Sequence, residues 1–226
     1  ELYATDIAKK NDRLTIGNLD LKPEKNNYFS LSAEYVHERF SVSVNAFYNN
    51  IRDMIDYNTI ATGDKAMEQY GHKEVRQRDN IAEAKVHGIN VSANAYLGAG
   101  FNLSGGYTHL NTQDVELEQP IDKSIKNAYN INAQWAHSWK IYRLNINLNG
   151  RINSKRFSKS YGYAPEYQLW DLNTRHSFNL KSVIIEPGFG MENLFDYMDD
   201  RPYNSNYATL TPGRSFYISL SLKFKS

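Results

Sequence analysis

The segment GRSFYISLSLKF, residues 213–224, alternates without interruption: Phe216, Ile218, Leu220, Leu222 and Phe224 fall on one side, Tyr217, Ser219, Ser221 and Lys223 on the other. A strand's period of two puts these sets on opposite faces of a sheet, so one face is oily and the other wet. Two architectures accept such a strand. In a soluble sandwich the oily face packs on a core and the polar face meets bulk water. In an outer-membrane barrel the oily face meets lipid and the polar face lines a lumen.

The totals keep both open. The chain has 226 residues, 41% of them apolar, and a mean hydropathy of −0.64. That is too polar for a helical membrane protein, and no run approaches the roughly 18 apolar residues of a spanning helix. A barrel strand needs no such run, because only alternate residues touch lipid. The 17 Tyr and 10 Phe suit a sheet and supply the interfacial girdles of a barrel. Formal charge is +1, which gives no field that argues for nucleic acid. With no cysteine there is no disulfide framework and no thiolate metal site. The opening Glu1-Leu2-Tyr3 lacks the basic and apolar regions of a signal peptide.

Period-two segments fall at residues 27–37, 40–57, 84–97, 101–110, 127–139, 141–153, 167–178, 183–194 and 215–224. Helical periodicity is absent over comparable lengths. The connections alternate between tight turns (37–39, 98–100, 138–140 and 179–182) and long, polar, Tyr-rich loops (58–83, 111–126, 154–166 and 195–214). Short-long alternation is the arrangement of an up-and-down barrel with turns on one rim and loops on the other. Segment lengths agree, since soluble strands usually have about 5–6 residues and a tilted bilayer span about 9–11.

The polar face reads Ser41, Ser43, Asn45, then Asn90, Ser92, Asn94, then Asn130, Asn132, Gln134, then Asn145, Asn147, Asn149. Asn is a poor strand former in the open, so short amides bonded to one another or to lumen water fit better than a solvated soluble sheet. Opposite stand Val42, Val44, Ala46 and Tyr48, and Tyr129, Ile131, Ala133 and Trp135, an apolar set closed by aromatics. The expected fold is therefore all-β, an antiparallel transmembrane barrel segment of about nine strands. If the last strand runs toward the short-turn rim, so does the first, and the strand number is odd; bacterial single-chain barrels have an even number. The expectation is a C-terminal piece of a larger barrel, with residues 1–26 the tail of a long outer loop.

Three stretches then carry a family resemblance. ELY at 1–3 followed by GNLDLKPEKNNYFSLSAEY at 17–35, GMENLFDY at 190–197, and PGRSFYISLSLKF at 212–224 resemble, in order, stretches of TonB-dependent outer-membrane receptors. The resemblance implies a barrel of about 22 strands with an N-terminal plug. It implies a receptor in the outer membrane of a Gram-negative bacterium that binds a scarce nutrient, such as an iron-siderophore, cobalamin or haem, and imports it. Residues 1–226 would be the C-terminal portion of that barrel, without the plug and the earlier strands. Implied partners are TonB, through a box outside this chain, the extracellular nutrient ligand, outer-membrane lipid and lipopolysaccharide, and the barrel assembly machinery. Phe216 and Phe224 would belong to the assembly signal of the last strand. No resident cofactor, metal or nucleic acid is implied. A passive porin or a surface adhesin barrel is the alternative reading of the same strands, and a soluble β-sandwich the third.

Chemistry-bearing side chains are few. His37, His72, His87, His109, His137 and His176 form no close spaced pair on one strand face. DYMDDRP at 196–202 gathers Asp196, Asp199 and Asp200 without the ligand spacing of a calcium loop. Tyr161, Tyr163 and Tyr167 lie near Arg156, and Arg201 and Tyr203 sit in the last long loop; stacking and cation contacts there suit an aromatic or anionic ligand. His176 and Ser177 are adjacent on a strand and point to opposite faces, so they assemble no catalytic group, and no enzyme is expected.

Overall fold

The computed structural model describes residues 8–10, 12–199 and 212–225. Nine long strands dominate them: β3 (Lys25–Val36), β4 (Phe40–Thr62), β5 (Glu74–Gly98), β6 (Phe101–Asp114), β7 (Asn127–Trp139), β8 (Tyr142–Asn153), β11 (Tyr167–Asn179), β12 (Val183–Glu192) and β13 (Ser215–Phe224). Four short strands, β1 (Ala8–Lys10), β2 (Arg13–Ile16), β9 (Arg156–Ser158) and β10 (Gly162–Ala164), and one helix, α1 (Gly63–Tyr70), complete the set. The chain divides into two compact units. Unit 1 comprises the described parts of Glu1–Phe29, Tyr48–Val86 and Thr112–Pro120; unit 2 comprises Ser30–Phe47, His87–Asn111 and the described parts of Ile121–Ser226.

Unit 2 is an antiparallel ladder in chain order. From β6 onward each strand pairs with the next long one: β6 with β7, β7 with β8, β8 with β11, β11 with β12 and β12 with β13. Tight connections close alternate pairs. Gly98, Ala99 and Gly100 have φ values of 90°, 50° and 86°, three consecutive left-handed residues at the β5–β6 turn, which two glycines adopt without strain. At the β3–β4 turn His37 N donates to Phe40 O at 2.8 Å.

Unit 1 departs from the sequence expectation. Residues 58–83 are not a loop: β4 runs on to Thr62, α1 follows, and β5 starts at Glu74. Asp53, inside the expected segment 40–57, takes φ 57°, and the strand continues past that segment's end to Thr62. Helix α1 buries Ala66 completely and stops at Gly71, whose φ of 69° permits its N–H to bond Met67 O. Ala66 packs with Leu14 and Val75, flanked by Ile16, Ala61 and Tyr70, into a small apolar core. Residues 13–16, expected within a loop, form β2, which pairs parallel with Glu74–Gln77 of β5. In unit 2, the expected loop at 154–166 contains the β9–β10 hairpin.

Candidate functional site

The register of unit 2 sorts its side chains into two faces. Across β6, β7, β8 and β11 the rows Leu103–Ala133–Leu148–Leu172 and Phe101–Trp135–Ile146–Thr174 are directly paired, and β12–β13 adds Phe189–Ile218 and Pro187–Leu220. This face is apolar and open, with Ile218 83% exposed. At the tight-turn end it is edged by aromatics. The rings of Trp139 and Tyr142 stack at 5.5 Å, those of Tyr142 and Phe178 lie 5.0 Å apart, and Trp135 Nε1 donates to Ala99 O at 3.1 Å. Toward the other end Tyr107 and Tyr129 stack at 4.7 Å, and Trp170 meets Phe195 edge-on at 6.4 Å. Such amphipathic rings suit the two borders of a hydrocarbon layer.

The opposite face is polar and largely bonded to itself. Ser43 Oγ and Ser92 Oγ are 2.6 Å apart, Asn45 Nδ2 donates to Ser32 Oγ at 2.7 Å, and Thr108 Oγ1 donates to Asn90 Oδ1 at 3.0 Å. Asn132 Nδ2 donates to Asn149 Oδ1 at 2.6 Å, and Asn149 in turn donates to Asn147. Charges are interspersed on this face: Asp171 and Arg175 stand across from Asn149 and Asn145, and Arg151 across from Asn130, while Lys223 Nζ lies 2.6 Å from Glu186, which also receives Ser177 Oγ at 3.3 Å.

The candidate ligand residues fall into two groups. Arg156, Phe157 and Tyr163 belong to the β9–β10 hairpin, where Phe157 pairs with Tyr163 and their rings meet edge-on at 5.3 Å. Tyr161 and Tyr163 are half exposed. Tyr167 begins β11; its hydroxyl accepts Asn153 Nδ2 at 2.7 Å and its ring stacks on Tyr197 at 5.9 Å. Arg201, Tyr203 and Asp200 lie outside the described residues. Asp196 is occupied structurally, accepting Arg214 N at 2.7 Å ahead of β13. Phe216 and Phe224 both project from the apolar face of β13, at 59% and 81% exposure. Among the described residues no cluster of His, Asp or Glu could hold a metal ion. His137 stacks edge-on with Trp139 at 4.4 Å, and His176 Nδ1 lies 2.7 Å from the Tyr142 hydroxyl.

Two of the sequence signatures prove to be fastenings. In GMENLFDY, Asn193 is 4% exposed with φ 51°. Its side chain accepts Tyr197 N and donates to Tyr197 O, both at 2.8 Å, while its own N donates to Asp171 at 2.9 Å. A short amide that tolerates the left-handed region is what this turn needs. In GNLDLKPE, Asn18 Nδ2 donates to Arg78 O at 2.9 Å, Asn80 Oδ1 accepts Lys22 N at 2.8 Å, and Glu24 accepts Ile55 N at 2.8 Å. The segment is strapped along β4 and β5 within unit 1.

That strap holds a group that the sequence did not announce. The guanidinium carbons of Arg76 and Arg78 lie 3.7 Å and 4.5 Å from the centre of the Tyr57 ring. Arg78 also donates to the Tyr57 hydroxyl at 2.9 Å, and Arg76 Nε donates to Thr15 Oγ1 at 3.2 Å. Tyr57 and the arginines are about twenty residues apart in sequence, too far for any local spacing rule to join them; only the pairing of β4 with β5 does so.

A family model described as "TonB dependent receptor-like, beta-barrel" matches residues 1–194. A probable TonB-dependent siderophore receptor, PiuA, of Acinetobacter baumannii is 28% identical over 162 residues, covering 64% of this chain and 21% of the relative. The chain thus spans about a fifth of that curated relative. Among solved structures, the ferric enterobactin receptor PfeA of Pseudomonas aeruginosa, as a Q482A mutant with enterobactin, superposes with a TM-score of 0.69 at 21% identity, covering 93% of this chain and 33% of that one. BauA, the ferric preacinetobactin receptor of Acinetobacter baumannii, gives 0.68 at 17% identity, covering 89% and 30%. At these identities the structural likeness concerns the fold.

Proposed function

Since this chain belongs to the TonB-dependent receptor β-barrel family, we propose that it forms C-terminal wall strands of an outer-membrane receptor that captures an iron-siderophore chelate outside a Gram-negative cell and imports it. The observation that carries this reading is the two-faced ladder of unit 2. Its apolar face, edged by aromatics at both ends, suits lipid; its self-bonded polar face suits a water-filled lumen. The polar, Tyr-rich connections of the long-loop rim are then extracellular. A plug domain and a TonB-contacting box, contributed by sequence outside this chain, complete the importer. Outer-membrane lipid and lipopolysaccharide surround it, and the assembly machinery reads Phe216 and Phe224 on the last strand. The iron cargo rests on the names of similar receptors, the siderophore receptor PiuA and the two ferric receptors.

The test is uptake of radiolabelled ferric chelates by iron-starved cells lacking the gene, complemented with it, and complemented in a strain without TonB. The importer reading expects uptake only in the complemented cells with TonB. Uptake that persists without TonB would establish a passive porin instead.

A further inference from the structure

We infer that Tyr57, Arg76 and Arg78 form an anion-recognition site in unit 1, through which the receptor selects a negatively charged chelate over a neutral one. The inference deepens the receptor reading and rests on it. Two guanidinium groups share one aromatic ring, and no ion pair joins either arginine to a carboxylate among the described residues. Of the acids adjoining in sequence, Glu74 pairs with Arg13 at 2.7 Å, and Asp79 accepts Asn80 N at 2.9 Å and Asn58 Nδ2 at 3.5 Å. Like charges held side by side repel, and the contacts to the ring offset that repulsion only in part. An anion placed between the two forks would relieve it. Guanidinium groups present paired donors that match carboxylate, catecholate or phosphate oxygens.

The site is also held in place before any ligand arrives. Asn18 fixes the Arg78 carbonyl, Thr15 fixes Arg76 Nε, Tyr57 Oη accepts from Arg78, and Gln77 between the arginines donates to Gly17 O at 2.9 Å. Side chains fixed by neighbours lose little freedom when a ligand binds. The adjoining strap from residues 17 to 24 therefore has a second use beyond joining strands: it presents the two cations. The anion recognised is an oxyanion group of the chelate itself, and a phosphate of lipopolysaccharide offers the same chemistry from a second source, so the two need separate arms.

The experiment uses the intact receptor in detergent, titrated with trianionic ferric tris-catecholate, with anionic ferric citrate, with a neutral ferric trihydroxamate and with lipid A micelles. Wild-type protein should bind at least one anionic chelate tenfold or more tightly than the neutral one. R76Q/R78Q should lose that preference, while R76K/R78K, which keeps both charges, should retain part of it and serve as the folding control. Undiminished anionic binding by R76Q/R78Q, or equal wild-type affinity for anionic and neutral chelates, overturns the inference and leaves the receptor reading standing. Loss confined to the lipid A arm also overturns it, in favour of a lipid site. Absence of chelate binding in every arm overturns the receptor reading together with the inference.

Discussion

Trp170 lies flat over Gly150, its partner across the β8–β11 ladder; a Cβ on Gly150 would stand 2.5 Å from Trp170 Cζ3. Glycine is therefore required by the ring above it, since Gly150 has no positive φ to satisfy. Replacing Gly150 by Val should drive the indole from its seat and cost about 1–3 kcal/mol, read as a lower urea midpoint in detergent or lipid. Trp170→Ala in the same background should restore part of the loss. Equal stability of Gly150→Val and the parent would show that the indole moves freely.

The assignment of faces makes a sharper demand. Arginine at Ile131, Ala133, Ile146 or Leu220, mid-strand on the apolar face, should cost about 2–4 kcal/mol in a bilayer. Arginine at Asn45 or Ser219, on the polar face, should cost much less. Folding efficiency into vesicles measures both sets, and equal tolerance would dissolve the distinction.

Asn132, Asn149 and Asn147 form a relay in which each amide answers the next. Asn149→Ala should leave two amides short of a partner and cost about 1–3 kcal/mol if water cannot replace it. A double-mutant cycle between Asn132 and Asn149 should return a coupling of about 0.5–1.5 kcal/mol. Zero coupling would mean that lumen water serves these groups as well as they serve each other.

Topology can be read on whole cells. A tag inserted at Glu116, in the connection after β6, or at Ser160, at the β9–β10 tip, should be labelled by antibody without permeabilisation, and one at Ala99 should not. Thr62 is a poor position for such a tag, because it leads directly into α1 and the buried Ala66. Labelling at Ala99 alone would invert the chain in the membrane.

Strands are legible in the sequence wherever one face is apolar and the other polar. β7 and β13 begin and end at the residues that alternation marks, 127–139 and 215–224. Legibility fails where that contrast ends. In unit 1 the extensions of β4 and β5 carry mixed side chains, and an eight-residue helix is too short to show a period. The parallel pairing of Arg13–Ile16 with Glu74–Gln77 joins segments some sixty residues apart, which no local pattern encodes. For the same reason Tyr161 and Tyr163 stand out by their closeness in sequence, whereas Tyr57 and the two arginines, brought together by strand pairing, do not.

The paired hydroxyls and amides of Ser43 and Ser92, Asn45 and Ser32, and Thr108 and Asn90 bear on traffic as well as on stability. A side chain whose donor already reaches a neighbour gains little by gripping a passing solute, and these short neutral groups add little bulk; charge enters the face beside them, at Glu34. In the receptor proposed above, such a stretch would hold a solute only briefly, so that a chelate released from capture outside would slide along it rather than rebind at every step.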